Sequence, residues 1–314
     1  VRTEEVSTLG AMRYVVTGAA GFIGSHLAEH LLADGHEVVG LDCFTDYYDP
    51  ALKEENAREL DVRRVDLAED TLDFAEVDGV FHLAGQPGVR SFGDVFGTYL
   101  RRNVLATQRV FEAAVRDGVR VVFASTSSVY GDAERYPTPE DTVPRPVSPY
   151  GITKLACEHL ANAYTRDFGL DCTVVRYFSV FGPRQRPDMS FTRIATALAE
   201  GSRFELYGDG GQSRGFTYVS DAVDATVRAM AQGVGTYNVG GAHEATMNEA
   251  IATLERVSGR TLDVVRTPVA KGDVRRTTAD TTRMRGELGW EPHVSFEDGL
   301  RAQWQWVAGR VAAR

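Results

Sequence analysis

The sequence predicts an α/β protein, a doubly wound parallel sheet followed by a smaller α+β domain. Three observations carry that expectation. Short apolar runs rich in β-formers alternate with helical stretches over residues 12–180, the first run ends in a Gly-rich turn, and the texture changes after Phe181. Strands that are apolar throughout, with helices between them, belong to a sheet covered on both faces.

Taken in order, residues 13–17 form the first strand, 18–24 a glycine turn, and 25–33 a helix stopped by Gly35. Residues 36–41 form the second strand, closed by Asp42. Further strands are expected at 62–65, 79–83, 119–124 and 172–177, with helices at 104–115 and 149–168. About seven strands are therefore assigned to a first domain over residues 12–180. Beyond it, residues 182–187 and 208–211 are stiff polar turns, with short strands at 204–207 and 264–265. Helices are expected there at 191–200, 219–230 and 247–257. Residues 181–314 thus read mainly as a ligand domain, with elements able to return to the main sheet. Residues 1–11 are expected to be a flexible tail.

Composition narrows the function classes. The chain is 43% hydrophobic and 25% charged, which is globular rather than disordered. Acidic residues outnumber basic ones 44 to 34, a balance that disfavours nucleic acid as a partner. The three cysteines, Cys43, Cys157 and Cys172, form no CxxC, as suits a reducing compartment. No apolar run approaches the ~20 residues of a membrane span, and residues 1–10 lack the marks of a secretory leader. A cytoplasmic protein with no membrane partner is expected.

Gly18-x-x-Gly21-Phe22-Ile23-Gly24 stands where a strand meets a helix. The first glycine permits the tight turn, the second lets backbone approach a pyrophosphate, and the third lets helix and strand close up. That context marks a dinucleotide loop, which three turn glycines elsewhere would not. Asp42 ends the second strand, where a carboxylate accepts from both adenosine ribose hydroxyls. The first basic residue after it is Lys53, so NAD is expected rather than NADP. Asp66 follows the third strand and reads equally as a contact to the adenine amino group or as a helix cap. Leu83, at the end of the fourth, joins Phe22 and Ile23 in the expected cofactor site.

Ser148-Pro149-Tyr150-Gly151-Ile152-Thr153-Lys154 reads as a helix cap, a proline at the first helical position, and a helix. Tyr150 and Lys154 are four apart and share a face. An ammonium beside the phenol is expected to lower its pKa from ~10, which suits a base taking a proton from a sugar hydroxyl. Ser125, Thr126, Ser127 and Ser128 end a central strand, at the edge where such sheets bind ligands. A Ser/Thr turn that satisfies its own backbone is the plainer reading of that run. Arg90, Arg184, Arg186, Arg214 and Arg275 are candidate anion contacts, because guanidinium forks suit phosphate and carboxylate. No metal is expected. His26 and His30 share a helical face, a pattern more common on surfaces or in cores than at metals.

Through these motifs the chain resembles the extended short-chain dehydrogenase/reductase family, within it the nucleotide-sugar 4-epimerases, and among those the UDP-glucuronate 4-epimerases. The resemblance spans residues 13–306. It rests on TGAAGFIGSHL (17–27), HLAGQPGVR (82–90), STSSVYG (125–131), SPYGITK (148–154), RYFSVFGPRQRPDM (176–189), GDGGQSRGFTYVSD (208–221) and GDVRRTTAD (272–280). It implies a Rossmann-type NAD domain, Tyr150 as acid/base, Lys154 on the nicotinamide ribose, and Thr126 on the sugar 4-hydroxyl. It implies that a hydride leaves sugar C4 for NAD and returns to the other face of a 4-keto sugar. Arg214 and Arg275 are implied as diphosphate ligands, with Arg90 and Arg186 less firmly placed in the substrate site. A homodimer built on helices 104–115 and 149–168 is also implied.

The sequence departs from the family pattern at three places. Gly85 stands where the family has a second alanine, Gly215 where an Asp is common, and Ser179 where Thr or Asn is frequent. The family's dehydratases and decarboxylases carry carboxyl groups near the position of Thr126, where Ser127 and Ser128 stand here, so simple epimerisation is expected. Ser127, Ser128 and Ser179 are short neutral donors able to grip a sugar carboxylate. UDP-glucuronate to UDP-galacturonate is the expected reaction. The alternatives are UDP-glucose/UDP-galactose epimerisation, UDP-glucuronate decarboxylation and a non-catalytic nucleotide sensor.

Overall fold

The computed structural model describes residues 10–88, 93–269 and 274–313. Its first six strands are β1 (Arg13–Thr17), β2 (Glu37–Asp42), β3 (Val62–Arg64), β4 (Gly79–His82), β5 (Arg120–Thr126) and β6 (Cys172–Tyr177). Beyond them lie β7 (Val180–Phe181), β8 (Arg203–Tyr207), β9 (Ser213–Tyr218), β10 (Gly235–Val239), β11 (His243–Thr246), β12 (Asp263–Thr267) and β13 (Arg276–Thr277). The main sheet has seven strands in the order β10-β6-β5-β4-β1-β2-β3, every neighbouring pair parallel. Six come from the range expected, and the seventh, β10, returns from beyond residue 180. The chain moves outward from β1 through β2 to β3, then crosses back to β4 on the other side of β1. That reversal opens a crevice beyond the carboxyl ends of β1 and β4, where sheets of this type bind ligands.

Helices α1 (Phe22–Ala33) and α2 (Pro50–Asn56) precede α3 (Phe96–Tyr99), which runs through a π-helical turn, Leu100–Leu105, into α4 (Ala106–Asp117). Then come α5 (Pro149–Phe168), α6 (Ser190–Glu200), α7 (Val219–Gln232), α8 (Met247–Ser258), α9 (Thr282–Leu288) and α10 (Phe296–Ala312). Alternate residues of the strands feed two cores, as the period of two requires. Val16 and Val122 pack with Leu27, Ala222 and Met284 of α1, α7 and α9 on one face. Val15, Val121 and Phe123 pack with Phe111, Cys157 and Ala161 of α4 and α5 on the other. A third core joins α6, α8 and α10 to β8 and β9 through Phe181, Phe191, Phe216 and their neighbours. Here β9 pairs with β11, β13 and β7, while β8 pairs with β12. Among the described residues no helix is long and apolar enough to cross a membrane. Residues 1–9 of the expected tail lie outside the described residues.

Candidate active site

The glycine turn is built by close approach. Gly18 has φ +71°, and a Cβ on it would lie 2.9 Å from the Ala84 backbone nitrogen. A Cβ on Gly24 would lie 2.1 Å from the Gly18 carbonyl oxygen. Neither position accepts a side chain, so β1, β4 and the start of α1 meet around bare backbone. This cradle opens on a cavity of about 220 Å³ lined by Gly18, Gly21, Phe22, Ile23, Gly24, Asp42, Asp66, Leu83, Tyr150 and Lys154. The whole expected cofactor set is therefore in one place. Asp42 is held by the Ala20 and Phe44 backbone N–H groups at 3.2 and 2.7 Å. Asp66 accepts from the Ala68 N–H at 2.9 Å and pairs with Arg101, while also lining the cavity. Residues 67–69 form a turn rather than a helix, so the helix-cap reading of Asp66 is corrected: its carboxylate closes a turn.

Ser148 caps α5 by accepting from the Gly151 N–H at 3.1 Å, which sets the first turn carrying Tyr150. Lys154, one turn on, is buried and donates to the Ala124 carbonyl at 2.8 Å. It sits 4.8 Å from the Phe123 ring centroid. Burial pushes the Lys154 ammonium pKa down, opposed by Cys157 and then Glu158. Burial likewise pushes the Tyr150 phenol up, opposed first by the Arg186 guanidinium and then by a hydrogen bond with Thr126. Two expectations are corrected here. The phenol is raised, not lowered, and the cation that acts on it in the protein alone is Arg186 rather than Lys154. The reason is physical: desolvation disfavours the phenolate, and the ammonium is turned onto a β5 carbonyl.

Next to this lies a larger cavity of about 590 Å³, lined by Thr126, Ser127, Ser128, Tyr150, Ser179, Arg186 and Arg214 among others. Tyr150, Ser125 and Arg186 line both cavities. The Thr126 hydroxyl donates to Ser128 Oγ at 3.2 Å and accepts from the Ser128 N–H at 3.1 Å. The turn reading of the serine run is thus present, and all four of its residues line the cavity. Ser179 takes a left-handed backbone at φ +36° on the cavity wall. Arg186 Nε and Nη2 pair with Asp188 at 3.0 and 3.1 Å. Tyr47 reaches the same Asp188 at 3.2 Å.

The other arginines divide. Arg214 lines the larger cavity and also donates to the Ser213 and Val274 carbonyls at 2.7 and 2.6 Å. Arg275 is exposed and is not part of the cavity lining. Arg184 is corrected outright as an anion contact, because it pairs with Glu29 at 2.8 Å and donates to Ser25 Oγ at 3.2 Å on α1. Arg90 lies outside the described residues.

A glycine cradle for a pyrophosphate, an anchored Asp42 for a ribose, and Lys154 in the same cavity beside a Tyr150 shared with the larger one fit NAD. The family model for the NAD dependent epimerase/dehydratase family matches residues 14–240. The chain belongs to this family. UDP-glucuronic acid 4-epimerase of Bacillus cereus, solved with UDP-glucuronic acid and NAD, is 37% identical, with a TM-score of 0.92 over 95% of this chain and 100% of that one. YtcB of Bacillus subtilis, an uncharacterized UDP-glucose epimerase, is 40% identical over 92% of this chain and 96% of its own. UDP-glucuronate 4-epimerase of Thermodesulfobacterium geofontis is 36% identical over 93% and 95%. The cofactor of this epimerase/dehydratase family member is NAD.

The structure adds residues that the sequence pattern does not reveal. Arg102, brought by the π-helical turn, lines the NAD cavity and donates to Gln86 Oε1 at 2.8 Å. Lys53 folds back into the same cavity and donates to the Thr45 carbonyl and hydroxyl, both at 2.8 Å. The expectation of no base near Asp42 is therefore corrected, although NAD stands. Arg102 lies 60 positions from Asp42, and only tertiary structure brings it there. The family departure at Gly85 also has a physical reason, since a Cβ there would lie 3.0 Å from Asn103 Oδ1 and 3.3 Å from Lys154 Nζ.

Proposed function

We propose that this NAD-dependent UDP-sugar epimerase acts on UDP-glucuronate, interconverting it with UDP-galacturonate through a 4-keto sugar. The carrying observation is Arg186, a guanidinium set into the sugar cavity beside Tyr150. Asp188 occupies its Nε and Nη2, and its Nη1 has no protein partner among the described residues. A sugar carboxylate is the group that such a guanidinium, half-buried in the cavity wall, selects. Ser127, Ser128 and Ser179 add neutral donors around it.

NAD held at the glycine cradle supplies the hydride acceptor for sugar C4 and later the donor. Tyr150 takes the proton of the C4 hydroxyl and gives one back, with Thr126 holding that hydroxyl. Lys154, fixed by the Ala124 carbonyl, would hold the nicotinamide ribose of bound NAD. Arg214 takes part of the diphosphate, and the larger cavity leaves room for the 4-keto ring to turn. The 4-keto uronate is a β-keto acid, which loses CO₂ most readily when the C5–C6 bond aligns with the carbonyl π system. Arg186 and the serines hold the carboxylate away from that alignment. UDP-glucose is the competing substrate, since serine hydroxyls serve a CH₂OH group as well.

The test is a side-by-side assay of UDP-glucuronate, UDP-glucose and UDP-N-acetylglucosamine, resolved by NMR into 4-epimer and pentose products. UDP-glucuronate should have the highest kcat/KM and give the 4-epimer. A kcat/KM for UDP-glucose at or above that value overturns the uronate assignment and leaves the 4-epimerase chemistry standing.

A further inference from the structure

Behind the two cavities, reached through Ser125, which lines both, lies a buried polar layer that the proposed epimerase chemistry does not use. Ser125 of β5 stands opposite Arg176 of β6, and Arg176 opposite Asn238 of β10, in the register of the parallel sheet. Three polar side chains thus cross three adjacent strands, one residue before the catalytic Thr126. Glu158 of α5 lies over them. It is 4% exposed and lines neither cavity. It accepts from Arg176 Nε at 3.0 Å and Nη2 at 2.6 Å, and from the Ser125 hydroxyl. Arg176 Nη1 donates to the Tyr130 hydroxyl at 2.6 Å, and Tyr130 donates to Asn238 Oδ1 at 2.8 Å.

The position of Glu158 in α5 gives this layer a consequence. Tyr150, Lys154 and Glu158 follow at intervals of four, so they share one helical face. That face is tied to β5 at two successive points, Lys154 to the Ala124 carbonyl and Glu158 to the Ser125 hydroxyl. The next residue of β5 is Thr126, which must meet the same sugar hydroxyl as Tyr150. A displacement of about 1 Å between two such groups is enough to cost ~10²-fold in rate. A buried, fully partnered ion pair is poor evidence for added stability but can fix one arrangement among several.

We propose that Glu158 and Ser125 form a positioning device that sets Thr126 against Tyr150, with Arg176 holding the Glu158 carboxylate in place. The device rests on the assignment of Thr126 and Tyr150 to the chemistry. Glu158 and Arg176 line neither cavity and the Ser125 hydroxyl is turned onto Glu158, so the device's mark is a loss of kcat with little change in KM, read most directly at Glu158.

The experiment compares wild type, Ser125→Ala, Glu158→Gln and the double variant, with Tyr150→Phe as control. Each is assayed with UDP-glucuronate and UDP-glucose, and bound NAD per protomer and Tm are measured alongside. Ser125→Ala leaves the Glu158–Arg176 pair intact, so it keeps the test open if Glu158→Gln folds poorly. Each single variant should lose about tenfold in kcat with KM changed less than twofold and NAD content retained. The double variant should lose about tenfold as well, because the two residues act as one unit. Losses that multiply to about a hundredfold, a Ser125→Ala enzyme with wild-type kcat, or a fall in Tm with unchanged kcat each overturn the device. If wild type turns over neither sugar, or Tyr150→Phe stays active, it is the functional reading that fails instead.

Discussion

At the scale of single residues, the proposed reaction depends on one phenol held in a difficult environment. Burial raises Tyr150, and Arg186 and Thr126 pull it back. Tyr150→Phe removes the proposed proton carrier and keeps the shape, so kcat should fall by about 10² to 10⁴ with bound NAD retained. Steady-state assay with dinucleotide released by denaturation checks both halves. The Arg186 guanidinium favours the phenolate, so taking it away raises the phenol pKa. Arg186→Gln should therefore move the acid limb of the kcat/KM against pH profile to higher pH, whatever it does to the amplitude. A limb that stays in place would show that Lys154 and the bound cofactor alone set the phenol. The sequence singles out Tyr150, Lys154 and Thr126 as candidates because each lies in a local motif whose spacing is the geometry. It assigns the cation at Tyr150 to Lys154 instead of Arg186, because Arg186 approaches across 36 positions of chain, from a turn whose direction no local pattern encodes.

At the scale of elements, the parallel strands are legible in the sequence because both faces are buried and their residues are apolar throughout. The same logic fails for β9, whose Ser213–Tyr218 is polar at its start, and for β10, which reads as part of the second domain. A strand that returns to a sheet after more than 50 residues is identified by its partner, not by its own composition. The sequence pattern places a helix at 104–115, whereas the helical rod begins at Phe96 and contains a π-turn that propensity does not announce. His82 shows how these elements are joined. Its Nδ1 meets Thr17 Oγ1 at 2.8 Å and its Nε2 meets Thr107 Oγ1 at 3.0 Å, tying β4 to β1 and α4. Burial, with the Lys154 charge adding, holds its pKa down at about 3 against 6.5 for the free side chain. The unfolded chain therefore binds a proton below pH 6.5 that the folded protein refuses until about pH 3. Stability falls as pH drops through that window, by about 2 kcal/mol at pH 5 from this residue. Thermal unfolding at pH 7 and pH 5 should show His82→Gln losing less Tm over that interval than wild type. Equal losses would place the acid sensitivity elsewhere.

At the scale of the whole molecule, an apolar row remains on the outside of the second core. Phe96, Leu100 and Leu105 are 40%, 45% and 44% exposed along the α3, π-turn and α4 rod, and Ile152 of the adjacent α5 is 48% exposed. The spacing of four and then five follows the change from α to π winding, so the extra residue of the π-turn keeps Leu105 in line with Leu100. A contiguous apolar row of this kind on a protein with a net charge of −10 is unusual unless something covers it. We infer that the cover is a second copy, the two rods and two α5 helices meeting about a two-fold axis, which makes one patch self-complementary. Light scattering at micromolar concentration should give twice the chain mass. Leu100→Lys with Leu105→Lys places four like charges across the axis and should give a monomer that still holds NAD. A wild-type monomer under those conditions would end the dimer and leave the exposed row without an occupant.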